Sequence, residues 1–106
     1  MIAGAHGRPS QIATDYCEKI YGTEKQDATI LATGGKKRNV CSAAFINGIS
    51  SHFHDYDDVL PTLNGHPSAA VLPAVLALGE REDISGDDAL NAYIVGVEII
   101  EVFARG

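Results

Sequence analysis

Six side chains able to bind a metal ion or transfer a proton lie close together between His52 and Ser68 (HFHDYDDVLPTLNGHPS). Imidazole nitrogens and carboxylate oxygens are common zinc ligands, and they are also the usual acids and bases of enzymes. Their density in one short segment is compatible with a metal site, an acid/base site or a polar loop. The six residues are His52, His54, Asp55, Asp57, Asp58 and His66.

A metal site is the interpretation that helical geometry opposes. On a helix, His52 and His54 would lie about 200° apart around the axis, so they could not bind the same ion. His52 would share a helix face with Asp55. His54 would share one with Asp57 or Asp58. We therefore predict no metal at this segment.

An acid/base site needs two proton-transfer groups close to a bound substrate. Asp55 is expected near the end of one helix and His66 at the start of the next, where free N–H groups and the helix dipole favour an anion. A carboxylate substrate could dock there, beside both groups. In the third interpretation, the aspartates only cap and solvate a loop. The residues alone leave these two interpretations open.

The elements that must position these residues are predicted to be mainly helical. A first helix begins at Pro9-Ser10 and stops at Gly22. A short extended segment is expected near residues 28–33, followed by a turn at Gly34-Gly35 and the basic run of residues 36–38.

Three further helices are predicted along the rest of the chain. One starts near Asn39, and its small residues permit close packing in spite of the Asn47-Gly48 pair. Another covers residues 67–80, is apolar nearly all round, and contains Pro73 as a possible kink. The last follows Ser85 as N-cap, with Asp88 in the position of the usual glutamate, and carries an apolar stripe.

Composition limits the function classes. The 106 residues can form at most one domain, and a net charge of −6 argues against nucleic-acid binding. No apolar run approaches the roughly 18 residues that span a bilayer, and no signal peptide is evident, so we expect no membrane partner. Cys17 and Cys41 are too few for a disulfide framework, which favours the cytoplasm.

Three ordered segments resemble the MmgE/PrpD family, which includes 2-methylcitrate dehydratase, cis-aconitate decarboxylase and iminodisuccinate epimerase. The resemblance covers nearly the whole chain and depends on Asn-Gly, Asp-Tyr-Asp-Asp, His-Pro-Ser and Ser-Gly-Asp in that order. The segments are AAFINGISSHFHDYDD (residues 43–58), HPSAAVLPAVLALGE (66–80) and ISGDDALNAYIVGVEI (84–99).

The resemblance implies a lyase that acts on small di- and tricarboxylates without an iron–sulfur cluster or other cofactor. It implies that Asp55 and His66 are catalytic and that Asp58 and Ser68 bind substrate. Val59 departs from the family pattern, which commonly has threonine there.

The resemblance also implies that residues 1–106 are part of the family's large all-helical domain. Family members are several times longer, so the small α/β domain and further active-site groups are expected beyond Gly106. The start of the first helix is expected before Met1. We expect such a short chain to be inactive alone. The alternative is a non-catalytic helical module that forms a homo-oligomer through apolar residues such as 69–78.

Overall fold

The computed structural model of the chain describes residues 1–23 and 25–106. Four helices form most of it: α1 (Arg8–Tyr21), α2 (Val40–His52), α3 (Pro67–Glu82) and α4 (Gly86–Ala104). Two short strands, β1 (Ala28–Thr29) and β2 (Lys37–Arg38), pair in antiparallel fashion. The predicted mainly helical fold is confirmed. Among the described residues, no helix is both long enough and apolar enough to cross a membrane.

The core lies on two sides of α2, which contacts both α1 and α3. On the α1 side, Ile46 packs with Ala13, Cys17 and Ile30. Cys17 is buried there and acts as a small apolar residue of the core. On the α3 side the core consists of alanines from β1, α2 and α3 (Ala28, Ala43 and Ala77). Small side chains therefore allow these elements to pack close together.

The Asn47-Gly48 pair lies inside α2, within the helix that the sequence predicts from near Asn39. A Cβ atom at Gly48 would lie 3.2 Å from the Ala69 carbonyl oxygen of α3, so this glycine permits the close approach of the two helices. The buried Asn47 side chain accepts a hydrogen bond from the Leu31 N–H (2.9 Å) and donates one to the Thr29 carbonyl (2.9 Å). Asn47 therefore pairs a backbone N–H and a backbone carbonyl of the hairpin formed by β1, β2 and the turn between them, as a neighbouring strand would.

The hairpin differs from the sequence prediction in extent. The extended segment expected near residues 28–33 is a strand only at Ala28–Thr29, and Lys37–Arg38 of the basic run form its partner rather than a turn. The turn lies between them and is closed by a hydrogen bond from the Ile30 N–H to the Lys36 carbonyl (2.8 Å). Two residues carry too weak a strand signal to be predicted without their partner.

The predicted helix signals are found at their expected positions, whereas the predicted apolar stripe of α4 is only partly covered. Gly22 ends α1 with a positive φ of 69°, and the Ser85 side chain accepts from the Asp88 N–H at the start of α4. Of the described helices and strands, only α3 contacts α4, and none of the α4 side chains is fully buried. Val102 and Phe103 are 68% and 82% exposed.

Glu80 joins the far end of α3 to the hairpin. Its carboxylate accepts hydrogen bonds from the Thr29 N–H (2.6 Å) and hydroxyl (2.8 Å), and Lys37 Nζ lies 2.7 Å away. The hydrogen bond from Lys37 lowers the pKa of Glu80 most; burial opposes it, and the Thr29 donors add to the lowering. A carboxyl group with a lowered folded-state pKa stabilises the fold above its unfolded pKa, and this is lost as pH falls through the folded value.

Glu80→Gln is expected to reduce the free energy of unfolding by about 1 kcal/mol at pH 7, because the amide cannot replace an ionised acceptor of three donors. The difference should vanish in acid, where Glu80 is protonated in both states. Urea unfolding at pH 7 and at acidic pH measures this. Glu82→Gln is the control, since among the described residues the Glu82 side chain is hydrogen-bonded only to its neighbour Arg81. An equal loss at both pH values would contradict the charge-based explanation.

Candidate active site

The polar segment folds back on itself between α2 and α3. A turn follows α2 directly, with a hydrogen bond from the Asp55 N–H to the His52 carbonyl (2.9 Å) and a φ of 55° at Asp55. Aspartate is one of the few residues that adopt this left-handed conformation readily. The Leu60 N–H then bonds to the Gly65 carbonyl (3.0 Å), which closes the predicted loop and returns the chain to α3.

His66 lies at the centre of four side chains that we call the His/Asp cluster: His52, Asp55, Asp57 and His66. Its Nε2 lies 3.5 Å from Asp55 Oδ1, and its Nδ1 lies 3.5 Å from Asp57 Oδ2. His52 Nδ1 lies 3.2 Å from both carboxylate oxygens of Asp57. The two imidazole rings are 4.6 Å apart, centroid to centroid. Each histidine therefore has a carboxylate partner.

The cluster has an inner and an outer side. The Asp57 side chain is 9% exposed and that of His66 27%, whereas His52 is 53% exposed and Asp55 75%. Burial would raise the pKa of Asp57, but a hydrogen bond from its own backbone, the hydrogen bond with His52 and the charges of both histidines outweigh it and lower the pKa. Asp57 is thus an ionised carboxylate held inside the cluster, and Asp55 is the accessible one.

The two predicted substrate-binding residues lie beside the cluster, at the start of α3. Asp58 Oδ1 accepts a hydrogen bond from the Ser68 N–H (3.2 Å), and the Ser68 hydroxyl is hydrogen-bonded to Tyr93 of α4. Pro67 has no N–H, and His66, the N-cap residue, makes no side-chain cap. Asp58 therefore caps α3 in place of His66.

His54 does not join the cluster. Its Nε2 lies 3.3 Å from the Ala3 carbonyl oxygen, and its ring stacks on Tyr56 with centroids 5.4 Å apart. The sequence argument placed His52 and His54 on one helix, whereas α2 ends at His52 and His54 lies in the turn beyond it. The sequence argument also missed the contacts that His52 and Asp57 make within the cluster. The density of polar residues in this segment was the only sequence signal for them.

An apolar cavity of about 760 Å³ opens next to the cluster. Ligand pockets commonly have volumes of about 300–1,000 Å³ with a few polar groups at one side. His52 and His66 are the two polar residues here, and helices α1, α2 and α3 supply the other walls. The remaining lining residues are Pro9, Ala44, Phe45, Gly48, Ile49, Phe53, Ala69 and Ala70.

The fold and the cluster define a mainly helical chain with two histidines and two aspartates at the edge of an apolar cavity. The family profile of the MmgE/PrpD N-terminal domain matches residues 1–106, and the chain belongs to this family. Human and mouse cis-aconitate decarboxylase are each 44% identical to it over 61 residues, which is 54% of this chain and 12% of either enzyme. The matched stretch is thus a small part of those relatives. No solved structure matches the chain significantly.

His52→Ala is expected to raise the pKa of Asp57 towards its ordinary value, because a hydrogen bond and a neighbouring charge that favour the carboxylate are removed. Titration of the side-chain carboxyl carbon by NMR measures this directly. His54→Ala is the matched control and should leave the pKa of Asp57 unchanged. Equal effects of the two substitutions would show that the contact between His52 and Asp57 is not the cause.

Proposed function

We propose that this chain carries one wall of the active site of an MmgE/PrpD-like lyase that dehydrates or decarboxylates small di- or tricarboxylates. Family membership and the identity to enzymes named cis-aconitate decarboxylase support this reaction class. The observation that carries the proposal is His66, whose two nitrogens face two carboxylates at the edge of an apolar cavity.

The proposed catalytic pair is Asp55 and His66. Both reactions move a proton at a carbon next to a carboxylate, and positioned histidine and aspartate side chains are suited to this. Asp57, whose side chain is 9% exposed, lies 3.5 Å from His66 Nδ1 and would orient the ring from that side. Asp55 is 75% exposed on the Nε2 side, so it can contact substrate together with His66.

The start of α3 is the proposed binding point for a substrate carboxylate. The Ser68 N–H bonds to the exposed Asp58, and a substrate carboxylate could take the same donor. Ala69, the third residue of α3, lines the cavity, and N–H groups at this position have no partner within a helix. Ser68 and Asp58 are therefore proposed as binding residues, with Asp58 holding the helix start when substrate is absent.

We further propose that the chain binds substrate without converting it, and that it acts in the cytoplasm. Acid/base catalysis requires its groups on several sides of the reacting carbon, and this chain supplies one side. The two cysteines are free, one buried and one exposed, in keeping with a reducing compartment.

Titration of the ¹⁵N-labelled chain with cis-aconitate tests the binding proposal. The largest amide shifts are expected at residues 55–58 and 66–70. His66→Ala should weaken binding about tenfold, equivalent to one charge-assisted hydrogen bond. His6→Ala is the matched control, and acetate at equal ionic strength controls for salt. Amide shifts spread over the whole surface, or binding unaffected by His66→Ala, would contradict the binding proposal. Turnover of cis-aconitate by the isolated chain would contradict the proposal that it is inactive.

Self-association is a second candidate function, favoured by the uncovered face of α4. Val95, Ile99, Val102 and Phe103 are each at least 50% exposed on this helix and border one apolar hollow. Contiguous exposed apolar residues of this kind mark surfaces that bind another protein. A second copy of the chain could cover them with the same face, as in two-fold dimers.

Sedimentation equilibrium across a range of concentrations tests this candidate. The average mass should rise with concentration from 11.2 kDa for the chain, and it should stay at the monomer value in a Val102→Ser/Phe103→Ser variant. Tyr21→Ser is the control, since it removes a residue 60% exposed on α1, which does not contact α4 in the described chain. A monomer at every concentration would exclude self-association.

A further inference from the structure

Asp57 links the two histidines of the His/Asp cluster. Its Oδ2 atom lies 3.2 Å from His52 Nδ1 and 3.5 Å from His66 Nδ1. The other ring nitrogen of His66, Nε2, lies 3.5 Å from Asp55 Oδ1. The four side chains therefore form a row in the order His52, Asp57, His66 and Asp55, in which imidazoles and carboxylates alternate.

The proton positions within this row follow from the charge of Asp57. Although burial would raise the pKa of Asp57, hydrogen bonds from its own backbone and from His52 outweigh burial and lower the pKa, so the side chain is ionised at neutral pH. An ionised carboxylate accepts hydrogen bonds and has no proton to donate. The hydrogen bond between His52 Nδ1 and Asp57 therefore requires the proton to be on His52 Nδ1.

The same reasoning assigns the proton of neutral His66. Its Nδ1 is buried and makes no hydrogen bond within the described residues, and Asp57 Oδ2 is an acceptor 3.5 Å away. Without a proton on Nδ1, two acceptors would face each other, whereas an Nδ1–H group directs a donor at the carboxylate. Buried polar atoms normally have such a partner, and the hydrogen bond of a histidine ring sets its tautomer. Neutral His66 is therefore expected to be protonated on Nδ1.

The competing tautomer would place the proton on His66 Nε2, next to Asp55. The side chain of Asp55 is 75% exposed, whereas that of Asp57 is 9% exposed. Water can satisfy an exposed carboxylate, but a buried carboxylate that loses a donor remains unsatisfied. The inner contact therefore decides the tautomer, and Nε2 keeps its electron pair on the side of the accessible Asp55.

His52 contacts both carboxylates that flank His66. It is the last residue of α2, and its Nδ1 lies 3.2 Å from both carboxylate oxygens of Asp57. Its carbonyl accepts the hydrogen bond from the Asp55 N–H (2.9 Å). The His52 side chain is 53% exposed, so a substitution there removes the ring contact without opening the core.

We propose that His52 is a positioning residue of the candidate active site. Its Nδ1–H holds the Asp57 carboxylate beside His66, the carboxylate keeps the proton of neutral His66 on Nδ1, and Nε2 is left as the nitrogen that exchanges protons. The use of Nε2 in catalysis rests on the proposed lyase function, whereas the proton positions depend only on contacts within the folded chain.

NMR correlation of ring nitrogens with ring hydrogens in the ¹⁵N-labelled chain tests the proposal without substrate. At about pH 9, well above the ordinary histidine pKa of about 6.5, His52 and His66 are expected in the Nδ1–H form. His54 is an internal reference expected in the opposite form, since its Nε2 lies 3.3 Å from the Ala3 carbonyl oxygen, which only accepts. Asp57→Ala should lower the ratio of the Nδ1–H to the Nε2–H form of His66 about tenfold, equivalent to one hydrogen bond to a charged group.

Two substitutions separate the ring of His52 from its N–H donor. His52→Phe keeps a ring beside His66 but has no donor, and it should lower the same ratio about threefold, because Asp57 remains but is no longer held. His52→Asn keeps an N–H donor near the position of Nδ1 and should leave the ratio within about twofold of its original value. His54→Phe is the matched control and should leave the ratio unchanged. Circular dichroism verifies that each variant keeps its helices.

Three results would overturn the proposal. The first is a proton on Nε2 of neutral His66 in the unaltered chain. The second is a ratio that His52→Phe leaves unchanged, and the third is an equal fall in His52→Asn and His52→Phe, which would assign the effect to the ring and not to its donor. The cis-aconitate titration measures a separate property, because substrate binding can fail while the proton positions hold, and the reverse.

Discussion

The close approach of α2 and α3 at Gly48 is the constraint on which the site depends. A Cβ atom there would lie 3.2 Å from the Ala69 carbonyl oxygen, so the helices nearly touch through their backbones. One helical turn further along α2 is His52, and three residues before Ala69 is His66. The contact between backbones thereby sets the 4.6 Å separation of the two imidazole rings. A bulky residue at position 48 would move the helices, and with them the histidines, apart.

The hairpin holds the same two helices from the other side. Asn47, the neighbour of Gly48, bonds to the backbone of Leu31 and Thr29, and Glu80 of α3 bonds to Thr29 as well. A short sheet that would be marginal alone is thereby joined to both helices by buried or charged hydrogen bonds. These hydrogen bonds hold α2 at Asn47 and the C-terminal end of α3 at Glu80 to the same hairpin, which supports the contact between the two helices.

His66 is free to act on a ligand because another residue caps its helix. An N-cap side chain commonly accepts the N–H groups of the first turn, but here Asp58 does so and the imidazole turns towards the cluster.

The helices could be predicted because their signals are local. Gly22 and Ser85 act on residues within one turn of themselves, and Asp55 and His66 were placed at the two ends of the loop by the helix boundaries alone. The strand at 37–38 and the contacts of Asp57 could not be predicted in this way. A two-residue strand exists only through its partner, and the contacts of Asp57 with two histidines require the chain to reverse and two helices to meet at a glycine. The sequence by itself determined which residues are available for chemistry, and the packing of α2 against α3 decided which of them meet.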